Sequence, residues 1–222
     1  MSYLFDLHVH TEESSNCGKT PAEQVVERYK NLAYDGICIT DHMNKDNAER
    51  HGDTYEEKAR SFLEGYKTAK QFETENFKVI LGMEIRFTDA ANDYLVFGFD
   101  EDFVFSRDFT VIENLKEFRK IADKNNLVVF QAHPFRNSMK IVEPKLLDGM
   151  EVYNGHGGHD SRNEVAYHWA KKYGLRMSGG SDFHYETGKE PGGVYFERLP
   201  EDSFELAALL MENTHKLKTF EK

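Results

Sequence analysis

Short β-branched or aromatic runs alternate with longer amphipathic stretches along the chain, which is the pattern of strands and helices packed as βα units around a sheet. The runs Tyr3 to His8, Gly36 to Thr40, Lys78 to Ile85, Tyr94 to Phe99, Leu127 to Ala132, Met150 to Tyr153, Arg176 to Gly179 and Val194 to Glu197 are the expected strands. Several are almost continuously apolar, as parallel strands covered on both faces should be. Between them, Pro21 to Tyr34 predicts a helix, with Thr20 as N-cap, Pro21 at the first helical position and Glu23 completing a capping box. Weaker helical periods cover Tyr55 to Phe72, Asp108 to Lys124, Asp160 to Tyr173 and Ser203 to Met211. With no repeat and no Gly/Ser/Pro-rich linker, residues 1–222 are expected to form a single α/β domain. A closed β/α barrel and an open doubly wound sheet share this signature, and both gather functional groups at the C-terminal ends of the strands.

Composition sets the chemical frame. Of 222 residues, 39% are hydrophobic and 30% charged, the balance of a globular protein able to bury a large core. A net charge of -11 argues against extended contact with a nucleic-acid backbone, which relies on many Lys and Arg side chains. A small anion is still compatible, because a cation held in the site inverts the local field. Cys17 and Cys38 are too few for a disulfide framework, and the N-terminus carries no secretory pattern, so a cytoplasmic location is expected. No apolar run approaches the ~20 residues needed to cross a bilayer.

Chemistry-bearing residues fall where the expected strands end. The first closes in Asp6-Leu7-His8-Val9-His10; side chains alternate along a strand, so His8 and His10 face the same way and can offer two neutral nitrogens to one ion. In Thr40-Asp41-His42, Asp41 either orients a ligand from behind or caps the following turn. Glu84 is a carboxylate inside an apolar run, where desolvation calls for a cationic partner. Asp93 opens the fourth run and is equally a turn residue. The later runs close in Ala132-His133-Pro134-Phe135-Arg136, Glu151-Val152-Tyr153-Asn154 and Gly180-Ser181-Asp182-Phe183-His184, the last another i, i+2 pair. Each has a structural explanation alone, but so many metal-type residues on one rim do not share one.

This ordered set, from His8-Val9-His10 through Thr40-Asp41-His42, Glu84 and His133-Pro134 to Asp182-Phe183-His184, resembles the motifs of the PHP (polymerase and histidinol phosphatase) family. The resemblance implies a single distorted (β/α)7 barrel and two or three divalent metal ions, zinc, manganese or iron. It implies that His8, His10, Glu84 and Asp182 hold one ion. Glu84 would bridge to a second, held by His133 and, in place of the family's usual histidine, Asp93. His42 and His184 would hold a third. The family often supplies another ligand to that third ion from the loop after the first motif, which here reads Ser14-Ser15-Asn16-Cys17 and leaves Asn16 or Cys17 in that place.

The implied reaction is hydrolysis of a phosphate ester, with a small phosphomonoester as the expected substrate. Two close metals can clamp phosphoryl oxygens and bring a bound water toward a pKa of ~7, so attack by a metal-activated water is expected. No Gly-x-Ser-x-Gly elbow or Cys/His pair suggests a covalent route. Asp41, Asp182 and His184 are the candidate catalytic proton carriers. Arg136, whose fork can bind two oxygens, is the first choice for gripping substrate, with Asn154 on the same rim; Lys19, Arg86 and Arg162 stand behind it. His156 and His159 read as solvent-exposed loop residues, with contact to substrate or metal the other reading. His51, His168 and His215 read as structural, and Phe97, Phe99, Phe103 and Phe105 as packing. The alternatives are an amidohydrolase-like C–N hydrolase and a metal-binding module without turnover. No membrane partner is expected, and the oligomeric state is open.

Overall fold

The computed structural model describes residues 2–187 and 191–218. Among these the strands are β1 (Tyr3–Val9), β2 (Gly36–Ile39), β3 (His42–Met43), β4 (Lys78–Leu81), β5 (Met83–Arg86), β6 (Asp93–Phe97), β7 (Val128–Gln131), β8 (Gly149–Asn154), β9 (Arg176–Gly180), β10 (Gly193–Phe196) and β11 (Lys216–Lys218). The helices are α1 (Ala22–Asn31), α2 (Lys45–Ala48), α3 (Tyr55–Lys70), α4 (Glu101–Phe105), α5 (Leu115–Asn125), α6 (Asn163–Tyr173) and α7 (Ser203–Glu212). The class is mixed α/β, with strands hydrogen-bonded in the orders β11-β10-β1-β2-β4 and β3-β5-β6-β7-β8-β9.

Two features depart from a simple ring of parallel strands. Among the described residues no single closed sheet forms, and β6 runs antiparallel to both β5 and β7. The six residues between Arg86 and Asp93 are too few for the dozen-residue crossover that a parallel neighbour requires, so β5 and β6 pair antiparallel. The run Lys78 to Ile85, expected as one strand, divides at Gly82 into β4 in one sheet and β5 in the other. A Cβ at Gly82 would stand 2.6 Å from Cys38 Sγ and 2.9 Å from Thr40 Cγ2, so only glycine lets the chain pass this close to β2. At the opposite seam Phe183 N donates to His8 O at 3.2 Å and His10 N donates to Phe183 O at 2.9 Å, joining β1 to the segment after β9.

Apolar residues from both sheets fill the space between them: Phe5, Leu7, Ile80 and Val194 from the first meet Leu95, Phe97 and Phe130 from the second. A second cluster packs α1 and α3 over β1, β2 and β4, and a third packs α3, α5 and α6 over the six-stranded sheet. Phe97, Phe99 and Phe103 belong to this packing, as expected, while Phe105 lies half-exposed beneath the Arg60 guanidinium.

Local corrections follow from capping. Pro21, not Thr20, occupies the N-cap of α1, no capping box forms there, and the Glu13 carboxylate accepts from Ala22 N at 3.0 Å. The expected helix from Asp108 starts only at Leu115, where the Asn114 side chain accepts from Glu117 N. The five-residue α4, capped by Asp100, and the strands β3 and β11 are too short to leave a readable period. None of the described helices is long and apolar enough to cross a membrane.

Candidate metal centre

The strand ends bring the expected residues to one point. His8 Nε2 and His10 Nε2 stand 3.1 Å apart. Asp182 Oδ1 lies 3.4 Å from the first and 3.3 Å from the second, and the Glu84 carboxylate reaches each at 3.3 Å, through Oε1 and Oε2 respectively. All four side chains are at most 2% exposed. Donors bonded at about 2.0–2.1 Å to a tetrahedral ion stand about 3.3 Å from one another, so these spacings fit a metal cage.

Glu84 is the hub. Besides His8 and His10, it meets His133 Nε2 at 3.0 Å through Oε1 and His42 Nδ1 at 2.9 Å through Oε2. The His42 contact follows from register, because His42 in β3 is directly opposite Glu84 in β5. The Glu84 Oε2 and His42 Nδ1 atoms are nonetheless out of hydrogen-bond alignment, and both are buried without a hydrogen-bond partner, as is His133 Nδ1. Buried polar atoms left unpaired are costly, and a cation between them would satisfy them. Asp93 is 3.9 Å from His133 Nε2 and groups with His42 and Glu84, but both its oxygens accept at 2.8 Å from Arg86, its cross-strand partner.

The backbone is bent to serve this arrangement. His133 and Asp182 adopt φ of 26° and 51°, a left-handed region that costs on the order of 1–3 kcal/mol for a non-glycine residue and persists only where the surroundings enforce it.

Groups behind the cluster fix its orientation, and several carry no role in the sequence reading. Glu151 Oε1 meets His8 Nδ1 at 2.9 Å while its Oε2 accepts from His133 N at 2.8 Å and from Asn154 Nδ2 at 2.9 Å. Its signal is the one that marks Glu84, a carboxylate inside a buried strand. Asp6 accepts from His8 N, Ser181 N and the Tyr29 hydroxyl, tying β1 to α1. Asp41 accepts from Thr11 N, Thr11 Oγ1 and Ser15 Oγ, and Ser15 Oγ lies 3.3 Å from His10 Nδ1. The Thr11–Asp41 contact abuts α3, where a Cβ on Gly65 would fall 1.9 Å from Thr11 Oγ1. Asp41 thus lies behind His10 and is not part of the cleft lining.

A cleft of about 280 Å³ opens over the cluster, lined by His42, Glu84, Asp93, His133, Arg136 and Asp182 among others. Arg136 donates through Nη2 to Asp182 Oδ2 and to Asn154 Oδ1, and through Nε to Ser161 Oγ. His156 and His159, both expected in solvent, instead line this cleft, with the His156 ring 5.3 Å from that of His184 and 4.7 Å from that of His159. Lys19 and Arg162 do not join it: Lys19 Nζ reaches Asn16 O, while Arg162 binds Phe135 O and Asn137. His168 is exposed and His215 meets Met177 O, both apart from the cluster.

Electrostatics follow from this packing. Burial opposes charge on His8 and His42, but Asp182, Glu151 and Glu84 around the first, and Glu84 and Cys17 around the second, hold both well above the usual imidazole range. Burial likewise resists ionisation of Glu84 and Asp182, yet the histidines, with Arg136 beside Asp182, hold both well below the carboxylate range. Burial pushes Asp6 up to about 6 and His156 down to about 4. At Cys17 burial acts against the thiolate, but His184 and His42 outweigh it and bring the thiol down to about 5.

Because Glu151 fixes which nitrogen of His8 faces the cluster, Glu151→Gln should weaken metal binding by at least about 10-fold, the usual scale for a group that orients a ligand. Calorimetric titration with Zn²⁺ checks this, and an unchanged Kd would remove Glu151 from the orienting set.

The family model of the PHP domain matches residues 6–211. None of the curated proteins matches the chain by sequence. Among solved structures, PsfC from Pseudomonas syringae is similar at a TM-score of 0.72 and 13% identity over 97% of this chain and 91% of that one. A two-domain protein from Bacteroides vulgatus, containing a predicted PHP-like metal-dependent phosphoesterase, gives 0.71 at 19% identity over 98% of this chain and 64% of its own. Endonuclease Q bound to a 27-mer duplex substrate with an abasic lesion gives 0.60 at 14% identity over 98% of this chain and 58% of its own. The chain therefore spans under two thirds of the last two, and at these identities the likeness is one of fold.

Proposed function

The chain belongs to the PHP domain family, and from that premise we propose that it hydrolyses a phosphate ester, with a small phosphomonoester as substrate and two or three divalent ions, zinc, manganese or iron, as cofactors. The observation that carries this reading is the cage of His8, His10, Glu84 and Asp182, whose donor atoms are spaced as around one ion. In this proposal those four hold the first ion, Glu84, His133 and Asp93 the second, and His42 and His184 the third.

Such ions, when bound, supply charge for the phosphoryl oxygens and acidify water toward a pKa of ~7. The chain's own residues do the positioning. Glu151 and Ser15 orient the His8 and His10 rings, and Asp41 holds the Thr11–Ser15 loop. Arg136, at the mouth and fixed from the side by Asn154 and Ser161, is placed to grip phosphoryl oxygens in exchange for its contact with Asp182. Asp182 and His184, both on the cleft wall, are the proton-handling candidates in place of Asp41.

A second reading, cleavage of a nucleic-acid phosphodiester, draws on the fold shared with Endonuclease Q. The net charge of -11 and a cleft of about 280 Å³ favour the small substrate. A panel of phosphomonoesters, phosphodiesters and an abasic duplex, offered to Mn²⁺- or Zn²⁺-loaded protein, separates them. Monoester hydrolysis abolished by chelation is the expected result; duplex cleavage without monoester turnover would favour the second reading, and no turnover at all a binding module. On the best monoester, Arg136→Lys should lower kcat/KM by roughly 10- to 100-fold, because hydrogen bonds to charged groups contribute about 1.5–3 kcal/mol and a tenfold rate change is about 1.4 kcal/mol. A change within twofold would remove Arg136 from substrate binding.

A further inference from the structure

Cys17 is one of two free cysteines and the only exposed one; Cys38 is buried in the core. Its loop is pinned on both sides to segments that carry histidines. On one side Asn16 N donates to Asn47 Oδ1 at 2.8 Å, and Asn47 Nδ2 donates to His42 O at 3.1 Å. On the other, Lys19 N donates to His184 O at 2.8 Å. The intervening Gly18 lies so close to Thr11 that a Cβ would stand 2.2 Å from its carbonyl oxygen, which fixes the path of the loop. Asn16 is consumed by Asn47, through its side chain as well as its backbone, whereas Cys17 Sγ stands 3.0 Å from His184 Nε2.

The cysteine stands beside a cluster that exists without it. His10, His42 and His184 already bring ligand atoms within 4.8 Å of one another, with ring centroids 4.5 Å apart for His10 and His42 and 4.3 Å for His10 and His184. His10 faces the first cage through Nε2, with Nδ1 beside Ser15. That leaves His42, His184 and Cys17 around the remaining space, beside the fully buried Glu84 Oε2 that lacks a hydrogen-bond partner. Around a tetrahedral ion bonded at about 2.3 Å to sulfur and 2.0–2.1 Å to nitrogen, the two donors stand about 3.6 Å apart, so opening the Cys17–His184 pair by roughly half an ångström admits the ion.

We infer that Cys17 is a thiolate ligand of the third ion, so that this position is a Cys/His₂ site with an open coordination position, unlike the nitrogen-and-oxygen sites beside it. The inference rests on the multi-ion reading proposed above. On binding, sulfur bonds the ion as thiolate, and the proton held between it and the neighbouring imidazoles passes to solvent. A soft sulfur donor favours zinc, cobalt or iron over magnesium or manganese at this position alone, so the ions need not be of one kind.

Cobalt(II) is the probe, because a cobalt–thiolate bond gives an intense near-ultraviolet charge-transfer band that imidazole and carboxylate ligands do not. Protein loaded with Co²⁺ should show that band, and Cys17→Ser should lose it together with about one ion per chain, while visible ligand-field bands from the other sites persist. Cys17→Asp should recover the ion without the band. In parallel, bound metal should protect one thiol from an aromatic disulfide reagent that reacts with metal-free protein; buried Cys38 is the internal control. Binding of Co²⁺ without a sulfur band, or a band unchanged in Cys17→Ser, would overturn the inference and leave the multi-ion reading intact. Failure of wild-type protein to bind any Co²⁺ would overturn both.

Discussion

Glu84→Gln is expected to reduce phosphoester hydrolysis by on the order of 10³-fold, the scale on which preorganised charge-stabilising groups act, and to lower the number of bound ions by at least one per chain. One carboxylate in this protein meets four imidazoles, those of His8, His10, His42 and His133, at 2.9–3.3 Å. The substitution keeps the side chain's size while removing its charge and exchanging one acceptor for a donor. In metal-free protein the same change takes away the nearest countercharge of His42 and one of the three carboxylates, after Asp182 and Glu151, that raise His8. Those imidazoles should then titrate at lower pH, which NMR titration of their ring protons reads independently of turnover. Elemental analysis beside the kinetics decides the matter: a full complement of ions with near-normal activity would show that Glu84 is not the bridging group.

That Glu84 could be singled out from sequence, and Glu151 not, reflects what a strand pattern carries. A carboxylate inside an apolar run announces a buried charge needing a partner, and alternation alone puts His8 and His10 on one side; both arguments need only neighbours in sequence. Glu151 gives the same local signal, but its oxygens point at His8 Nδ1 and the His133 amide, contacts 143 and 18 residues apart in sequence. Its function is set by which ring nitrogen it meets, and no period encodes that. Asp93 shows the limit in the other direction. Its place near the cluster was legible, but its pairing with Arg86 depends on the antiparallel register of β5 and β6, which arises because the turn between them is too short for a crossover. The division of one apolar run at Gly82 and the missed β3 have the same origin: close passage of β2 and pairing with β5 are tertiary facts. Asp41, read from sequence either as orienting a ligand or as capping a turn, lies behind His10 bonded to Thr11 and Ser15, a position that disfavours the proton-carrying role.

The second large effect is an opposite dependence on pH of the metal-free and metal-loaded protein. In metal-free protein His8, His10 and His42 have folded pKa values raised above 6.5. Their contribution to stability is complete below the unfolded value and is lost as pH rises through the folded values, when Glu84 and Glu151 lose their imidazolium countercharges and Asp182 keeps only Arg136. Those three carboxylates, with folded values below the usual range, contribute fully above it and lose that contribution only in acid. Asp6, raised to about 6, and His156, lowered to about 4 from 6.5, complete their contributions near pH ~7, at the lower edge of the alkaline window. Cys17 acts in the opposite sense, but its low value is sustained by His184 and His42, with His10 behind them, and fades as His42 and His10 deprotonate. Above pH 6.5 the metal-free protein should therefore melt at progressively lower temperature. A divalent ion replaces the lost protons and binds imidazole only in its neutral form, so affinity rises over the same range. At a ligand excess of about 1,000 Kd, binding adds about 4 kcal/mol, which for a chain of this length is a rise in Tm of roughly 8–16 °C. Melting curves recorded with Zn²⁺ and with a chelator from pH 5.5 to 9 should thus diverge as pH rises. Curves that converge instead would mean that the buried histidines and carboxylates neutralise one another as a permanent structural ion-pair network, with no ion taking the place of the protons.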